Sequence, residues 1–362
     1  MSDFQKQIED IEKEIRETPY HKGTEHHIGI LRARLSRIKD KLYDSEIRSK
    51  GAGGGGGYAV KHQGDATIVL VGPPSVGKST LLNRLTNAQS KVAPYEFTTV
   101  SVIPGMMSFR DAKIQVLDVP GLIEGADIGK GRGREVLSVI RGCNLLILMA
   151  EIGKEDSIER IKQALEKNGV RIDKNPPDII IDKKIQGGVD IHTNIVQTFD
   201  KDTIKDIITE TGIKNADVTI KENITMEKLL DSLSRNRVYI PSISIINKSD
   251  LNYPKSKTNN LQPDYIYISA GNGTNLDKLK EEIWKKLDFI TIYLVKVNEE
   301  PNTNNPLVTK NGERLSEILK NLGSNFSEDK IAAKVWGNGA KFPGQEVSLS
   351  AKSIDGMQVR FI

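Results

Sequence analysis

The sequence predicts an α/β fold in which apolar strands alternate with helices around a parallel sheet. From Ala66 onward, the apolar runs "ATIVLVG", "KIQVLDVPG", "CNLLILMA" and "PSISIINKSD" alternate with helical stretches. This alternation is typical of βαβ units with ligand loops at the carboxyl ends of the strands. A glycine-containing loop that ends in Lys-Ser follows the first of these strands, and the polar motifs described below follow the others.

The composition limits the cellular location of the protein and the kinds of site that it can contain. The chain has 362 residues, of which 37% are hydrophobic and 28% charged, as expected for a globular protein of two to four modules. Cys143 is the only cysteine, which excludes an internal disulfide and a cysteine-based zinc cluster. The start "MSDFQKQIEDIEKE" lacks the apolar core of a signal peptide, and no apolar run reaches the roughly 20 residues that span a bilayer. We therefore predict a cytoplasmic protein with a buried, structural thiol.

Residues 1–50 are expected to form a helical hairpin. Two apolar stripes at helical spacing, separated by "TPYHKGT", support it: Ile8, Ile11 and Ile15, then Ile28, Leu31, Leu35, Ile38 and Leu42. Basic residues outnumber acidic ones on the second helix, which is interpreted either as a solvated face or as an RNA or ribosome contact. The run Gly51 to Gly57 lies in a linker, residues 51–65, because glycine loses much backbone entropy on ordering.

The rest of the chain is expected to contain a core interrupted by an insertion. Asp118 and Asn247 are 129 residues apart, whereas a βαβ crossover needs about 30. We therefore assign residues 66–151 and 239–288 to the core and 152–238 to an inserted α+β module. His192 lies alone in that module and is expected to be an ordinary polar histidine. Residues 289–362 are expected to form a separate small mixed sheet with one helix.

The segment "GPPSVGKS" matches G-x-x-x-x-G-K-[ST] directly between a predicted strand and a predicted helix. In such a loop, backbone amides surround the α and β phosphates, the lysine reaches the β and γ oxygens, and the hydroxyl ligates magnesium. We predict a catalytic role for Lys78 and a magnesium ligand in Ser79. The predicted nucleotide-binding residues of this segment are Gly72, Pro73, Pro74, Ser75, Val76, Gly77, Lys78, Ser79 and Thr80.

Two motifs are expected to sense the γ phosphate. Thr98 and Thr99 of "YEFTT" lie 19 and 20 residues after Ser79, and one of them is expected to complete the magnesium shell. Thr99 is preferred and given a catalytic role, with Thr98 as the alternative. Asp118 ends an apolar strand, where its carboxylate can hold magnesium through water, and the Gly121 amide can bond the γ phosphate as a third catalytic group after Lys78 and Thr99. The glycine-rich segment that follows is expected to be released when the γ phosphate is lost.

The motif "NKSD", Asn247 to Asp250, indicates the base. A carboxylate at Asp250 can accept hydrogen bonds from N1–H and the 2-amino group of guanine, which adenine cannot offer. Because an unpaired buried carboxylate costs several kcal/mol, guanine should be preferred by orders of magnitude. Lys248, the second residue of this motif, is included among the predicted nucleotide-binding residues, with Asn247 and Asp250. In "ISAGNGTNLDKL", Ser269 and the Ala270 amide are expected to brace the base loop and to contact the guanine O6.

Leu122 raises the question of hydrolysis, because many Ras-like hydrolases carry a water-orienting glutamine after the Asp-x-x-Gly motif. Positioned phosphates, magnesium and charge still lower the barrier, so we predict slow unassisted turnover of roughly 10⁻⁴ to 10⁻² per second. Three basic side chains are expected either to face solvent or RNA, or to supply positive charge to the transition state in cis: Lys130, Arg132 and Arg134.

Two other functions stay open at this stage. One is a module that binds RNA or protein and senses GTP without hydrolysing it, which Leu122 favours. The other is an ATP-dependent kinase built on the phosphate loop, which Asp250 opposes.

Taken together, the motifs resemble the Obg-HflX group of GTPases and, more closely, the developmentally regulated GTP-binding (DRG) proteins. The resemblance covers nearly the whole chain and is carried by "TEHHIGILRARLSRIKDKL", "GPPSVGKSTLLN", "YEFTT", "DVPGLIEGA", "GKGRGREVLSVIRGCN", "NKSD" and "VWGNGAKFPGQEV".

The resemblance implies a helix-turn-helix-like N-terminus, an inserted domain similar to part of ribosomal protein folds, and a C-terminal β-grasp TGS domain. It also implies ribosome association and a regulatory partner protein for a translation-associated switch. We further expect a magnesium cofactor, from the motifs above, and a monomeric chain. Potassium is a further cofactor in relatives that carry asparagine at the position of Ser75.

Overall fold

The structure, a computed structural model, describes residues 3–50, 64–86, 93–94, 101–119, 132–234, 236–251, 264–323 and 329–362. The chain divides into two compact units. Unit 1 comprises Met1–Gly57 and Gly169–Tyr239, and unit 2 comprises Tyr58–Asn168 and Ile240–Ile362.

The described elements have the following bounds. The helices are α1 Asp3–Glu17, α2 Glu25–Lys50, α3 Lys78–Leu85, α4 Arg132–Arg141, α5 Asp156–Lys167, α6 Lys201–Glu210, α7 Met226–Leu233, α8 Leu276–Lys286 and α9 Leu315–Asn321. The strands are β1 Ala66–Val71, β2 Ala93–Pro94, β3 Ser101–Phe109, β4 Ala112–Asp118, β5 Leu145–Glu151, β6 Val170–Ile172, β7 Ile179–Lys183, β8 Val189–His192, β9 Ala216–Ile220, β10 Val238–Ile240, β11 Ser242–Asn247, β12 Ile266–Tyr267, β13 Phe289–Leu294, β14 Pro306–Lys310, β15 Ala332–Gly337, β16 Gln345–Ser348 and β17 Met357–Phe361.

A seven-stranded sheet in the order β12-β11-β5-β1-β4-β3-β2 forms the centre of unit 2. Strands β12, β11, β5, β1 and β4 run parallel to their neighbours in this row, whereas β3 is antiparallel to β4. Every residue of β1 and β11 is buried. Burial on both faces explains why these strands appear in the sequence as continuous apolar runs. The predicted α/β class is confirmed, and the carboxyl ends of β1, β4, β5 and β11 lie along one edge of the sheet.

Strand β3 was not anticipated from the sequence. It pairs with β4 across a two-residue turn at Arg110 and Asp111, which have φ of 48° and 64°. Positive φ at both positions is the geometry that matches the twist of a hairpin. Gly105 of β3 allows close packing, since an added Cβ would lie 2.6 Å from Oγ1 of Thr86. A strand that contains Pro104 and Gly105 gives a weak strand pattern in the sequence.

The C-terminal part of unit 2 is a five-stranded mixed sheet in the order β14-β13-β17-β15-β16. Helix α9 buries Leu315, Ile318 and Leu319 in the same apolar cluster as Val335 and Val359 of the sheet. The small mixed sheet with one helix that the sequence predicted is therefore present.

Unit 1 combines the two N-terminal helices with the inserted segment. Helix α2 packs on α6 and α7, and Ala33 belongs to the same core as the sheet β7-β9-β8. The approach is close at Gly29, where an added Cβ would lie 2.7 Å from Cε of Met226. Arg34 pairs with Glu210 at 3.1 Å, and Lys39 pairs with Glu12 at 2.8 Å. Part of the basic face expected on the second helix is therefore used inside unit 1.

The observed division differs from the segments expected from the sequence in three respects. Residues 1–50 and most of the insertion share one unit, residues 152–168 lie in unit 2, and residues 289–362 lie in unit 2 with the core. The second difference arises because α5 buries Ile158, Ile161 and Leu165 and packs on β5. The other expected boundaries remain predictions.

No helix in the described ranges is both long enough and apolar enough to cross a membrane.

Candidate functional site

The phosphate-loop motif lies between β1 and α3, as the sequence predicted. Its path needs two glycines. An added Cβ on Gly72 would lie 2.7 Å from the Met149 carbonyl oxygen, and one on Gly77 would lie 2.4 Å from Nδ2 of Asn247. Gly77 also has φ of 97°, which disfavours any side chain there. Pro73, Pro74, Ser75 and Val76 form the loop between these glycines, and Thr80 is exposed in the first turn of α3.

Lys78 is buried at the loop, with 9% of its surface exposed. Its ammonium donates hydrogen bonds to the carbonyl oxygens of Gly72 at 3.0 Å and Pro73 at 3.1 Å. Burial lowers the pKa of Lys78, and the nearby Asp118 carboxylate opposes this shift. The positive charge is thus held at the loop that the sequence predicts to surround phosphate.

Ser79 and Asp118 meet beside this lysine. The Ser79 hydroxyl donates to Oδ2 of Asp118 at 2.5 Å, and Asp118 is 4% exposed. Its other oxygen, Oδ1, is buried without a hydrogen-bond partner among the described residues. A hydroxyl and a carboxylate with an unsatisfied oxygen are the hard donors that magnesium prefers. These two residues therefore fit a magnesium ion, which Ser79 would ligate and Asp118 would hold.

Asn247 connects the phosphate loop with the base-recognition loop. It ends β11 and is 3% exposed. Its Nδ2 donates to the Val76 carbonyl oxygen at 2.8 Å, and its Oδ1 accepts from the Ala270 amide at 2.9 Å. Both predicted halves of the site, one for phosphate and one for base, are thus brought together by a single buried side chain.

The other residues of the two base motifs surround this connection. Lys248 has φ of 63°, and its Nζ lies 3.4 Å from Oε2 of Glu151. Asp250 is exposed at the end of the "NKSD" turn. Ser269 is buried, and its hydroxyl accepts a hydrogen bond from the Asn272 amide at 3.2 Å. The carboxylate of Asp250 is therefore accessible to a ligand.

Several predicted residues lie outside the described part of the chain: Thr98, Thr99, Gly121, Leu122 and Lys130. Arg132 and Arg134 lie in α4, but their side chains are not among those described. Their assigned roles remain predictions.

Two residues near the site were missed by sequence reasoning. Arg84, in the last turn of α3, donates a hydrogen bond to the Gly271 carbonyl oxygen in the base loop. Glu151, at the end of β5, contacts Lys248 as described above. Neither residue belongs to a motif, and only the packing of α3 and β5 reveals their positions.

Two residues considered outside the motifs are also placed. Cys143 is buried, and desolvation raises the pKa of its thiol to about 12. His192 is 62% exposed at its side chain and lies 3.5 Å from the Asp217 carboxylate. In the described segments, no cluster of three or more histidine, cysteine or acidic residues is placed to bind a metal ion.

Comparison with known proteins identifies the family of this chain. A family model described as "50S ribosome-binding GTPase" matches residues 67–183, and one for the C-terminal region of the same domain matches residues 186–289. A GTP-binding protein of Methanocaldococcus jannaschii is 45% identical over 98% of this chain and 91% of its own length. Developmentally-regulated GTP-binding protein 1 of Xenopus laevis is 40% identical, covering 96% and 95%. Developmentally-regulated G-protein 3 of Arabidopsis thaliana is 39% identical, covering 96% and 95%.

Near-complete coverage at these identities, together with the phosphate loop and the base motifs on one edge of the sheet, shows that the chain belongs to the developmentally regulated GTP-binding protein family, whose members are P-loop GTPases.

Proposed function

We propose that the protein binds magnesium-GTP, hydrolyses it slowly to GDP and phosphate, and acts as a translation-associated switch. The observation that carries the proposal is the group formed by Lys78, Ser79 and Asp118. One buried ammonium, one hydroxyl and one carboxylate with an unsatisfied oxygen stand together at the end of the phosphate loop. Such a group suits a nucleotide phosphate accompanied by a divalent cation.

Each residue assigned to the phosphate half of the site has a defined task in this proposal. The loop amides from Gly72 to Thr80 bind the phosphates, and Lys78 turns from its carbonyl partners to the β and γ oxygens. Bound magnesium would neutralise charge on these oxygens, with Ser79 and Thr99 as ligands and Asp118 holding it through water. The Gly121 amide bonds the γ phosphate. Leu122 offers no hydrogen bond to water, so turnover is slow.

Guanine selection is assigned to the other half of the site. Asp250 is exposed and accepts the hydrogen bonds of the guanine amide edge, while Asn247 fixes the Ala270 amide near the base. Lys248 and Ser269 support this loop. Adenine would leave Asp250 without its donors, and this mismatch opposes the kinase alternative.

Multiple-turnover phosphate release by the wild type and by Asp118→Ala tests the hydrolysis. We expect magnesium-dependent release from GTP that falls to background in the variant. Equal background rates in both proteins, with GTP binding retained, would support the alternative function, an assembly module that senses GTP without hydrolysing it. ATP binding equal to GTP binding would contradict guanine selection and favour the kinase.

The proposed role in translation rests on the family description "50S ribosome-binding GTPase" and on the basic residues of α2. We propose that residues 289–362 form a TGS domain and that the protein acts in the cytoplasm as a monomer, with a regulatory partner protein. Potassium would be a further cofactor only if Ser75 can replace asparagine. Sedimentation with ribosomes in GTP analogue, GDP or no nucleotide tests the switch; equal sedimentation in all three would contradict it.

A further inference from the structure

We propose that Arg84 is a positioning residue that holds the base-recognition loop and thereby slows the release of guanine nucleotide. This inference rests on the proposed function. Arg84 lies in the last turn of α3, the helix whose first turn carries Lys78 and Ser79. Its guanidinium donates from Nη2 to the carbonyl oxygen of Gly271. One short helix thus contacts the phosphate loop at its start and the base loop at its end.

Within the base loop, the described hydrogen bonds on either side of Gly271 engage backbone amides. The Ala270 amide donates to Asn247, the Asn272 amide donates to the Ser269 hydroxyl, and the Gly273 amide donates to the Ser269 carbonyl oxygen. An added Cβ on Gly271 would find only Oγ of Ser269 within 4 Å, at 3.9 Å. Packing around this residue is therefore open, and the hydrogen bond from Arg84 is the described contact that restrains its carbonyl.

The restraint has a consequence for the ligand. The Gly271 carbonyl belongs to the peptide unit that joins Gly271 to Asn272, one residue after Ala270 in the same turn, and Ala270 is predicted to lie beside the guanine O6. Holding this carbonyl against α3 limits displacement of the turn as a whole, so that Ala270 stays beside Asn247 and the proposed base site. The effect should appear in nucleotide release, because a preorganised loop stabilises the bound base. It should not appear in the hydrolysis of nucleotide that is already bound.

The size of the effect follows from the type of bond. A hydrogen bond with a charged donor contributes more than a neutral one, but Arg84 is exposed, which weakens it. We expect Arg84→Met to release GDP about three- to tenfold faster than the wild type. Arg84→Lys keeps a donor and should restore most of the difference.

The test compares three variants with the wild type by the dissociation of fluorescent N-methylanthraniloyl-GDP in magnesium. Arg160→Met is the matched control, because Arg160 is exposed on α5 of the same unit and makes no side-chain contact among those described. Single-turnover hydrolysis of prebound GTP and the thermal midpoint without nucleotide are measured in parallel. Faster release in Arg84→Met alone, with the hydrolysis rate and midpoint unchanged, would support the proposal.

Two results would overturn it. Release from Arg84→Met at the wild-type rate would show that the contact does not restrain the base. If Arg84→Met also changes the hydrolysis rate and lowers the thermal midpoint, the residue has a general structural role instead. A wild-type protein that binds no GDP at all would instead refute the proposed function, so the two failures are distinguishable.

Discussion

The substitution Asn247→Ala tests whether one buried side chain holds the two halves of the site together. In the structure, Asn247 bonds the Val76 carbonyl at 2.8 Å and the Ala270 amide at 2.9 Å. Val76 and Ala270 are each 1% exposed, so water cannot readily replace the lost partner. Alanine removes both hydrogen bonds and leaves the buried Val76 carbonyl and Ala270 amide without a hydrogen-bond partner.

The magnitude follows from these two groups. A buried donor or acceptor that loses its partner costs about 1–3 kcal/mol, so we expect unit 2 to lose roughly 2–6 kcal/mol of unfolding free energy. For a unit of this size, the thermal midpoint should fall by roughly 4–24 °C. Because the phosphate loop and the base loop lose their connection, GDP affinity should fall by at least about tenfold.

Urea unfolding and calorimetric titration with GDP measure the two effects. Arg160→Ala is the control, since Arg160 is exposed on α5 of the same unit and lies outside the motifs of the site. The control should match the wild type in both assays. The reasoning is refuted if Asn247→Ala unfolds at the wild-type urea midpoint and binds GDP with unchanged affinity.

Three further predictions concern single residues of unit 2. Lys78→Met should reduce single-turnover GTP hydrolysis by about 10²-fold or more, because the buried ammonium no longer stabilises charge on the phosphates; a rate near that of the wild type would contradict its catalytic role. Asp250→Asn should reduce the ratio of GDP affinity to xanthosine diphosphate affinity, because xanthine carries an acceptor oxygen in place of the guanine 2-amino group. Competition binding measures this ratio, and an unchanged ratio would exclude Asp250 from base recognition. Burial raises the pKa of the Cys143 thiol from 9.0 to about 12, so this thiol should resist alkylation at neutral pH until urea unfolds the protein. Its neutral thiol contributes stability that is complete below pH 9 and is lost as the pH rises toward 12, so Cys143→Ala should flatten that part of the stability curve.

Part of the architecture could be read from local sequence because burial imposes a simple pattern. Strands β1, β5 and β11 are covered on both faces and therefore appear as apolar runs, with the motif residues directly after them. The phosphate loop is equally local, since Gly77 and Lys78 act within a few residues of each other. By contrast, β3 contains Pro104 and Gly105 and lies toward the edge of the sheet, so its sequence carries a weak signal.

The amino-acid sequence by itself determined the α/β class and the family, and it supplied the residues predicted to meet a guanine nucleotide, because each depends on short motifs or on burial within one strand. Tertiary structure decided which distant segments touch. Gly29 of α2 packs against Met226, Asn247 bonds both loops of the site, and Arg84 reaches Gly271. Except for the bond between Asn247 and Ala270, these contacts join residues more than 150 positions away from each other in the chain. No local pattern of charge or hydropathy specifies such a pair.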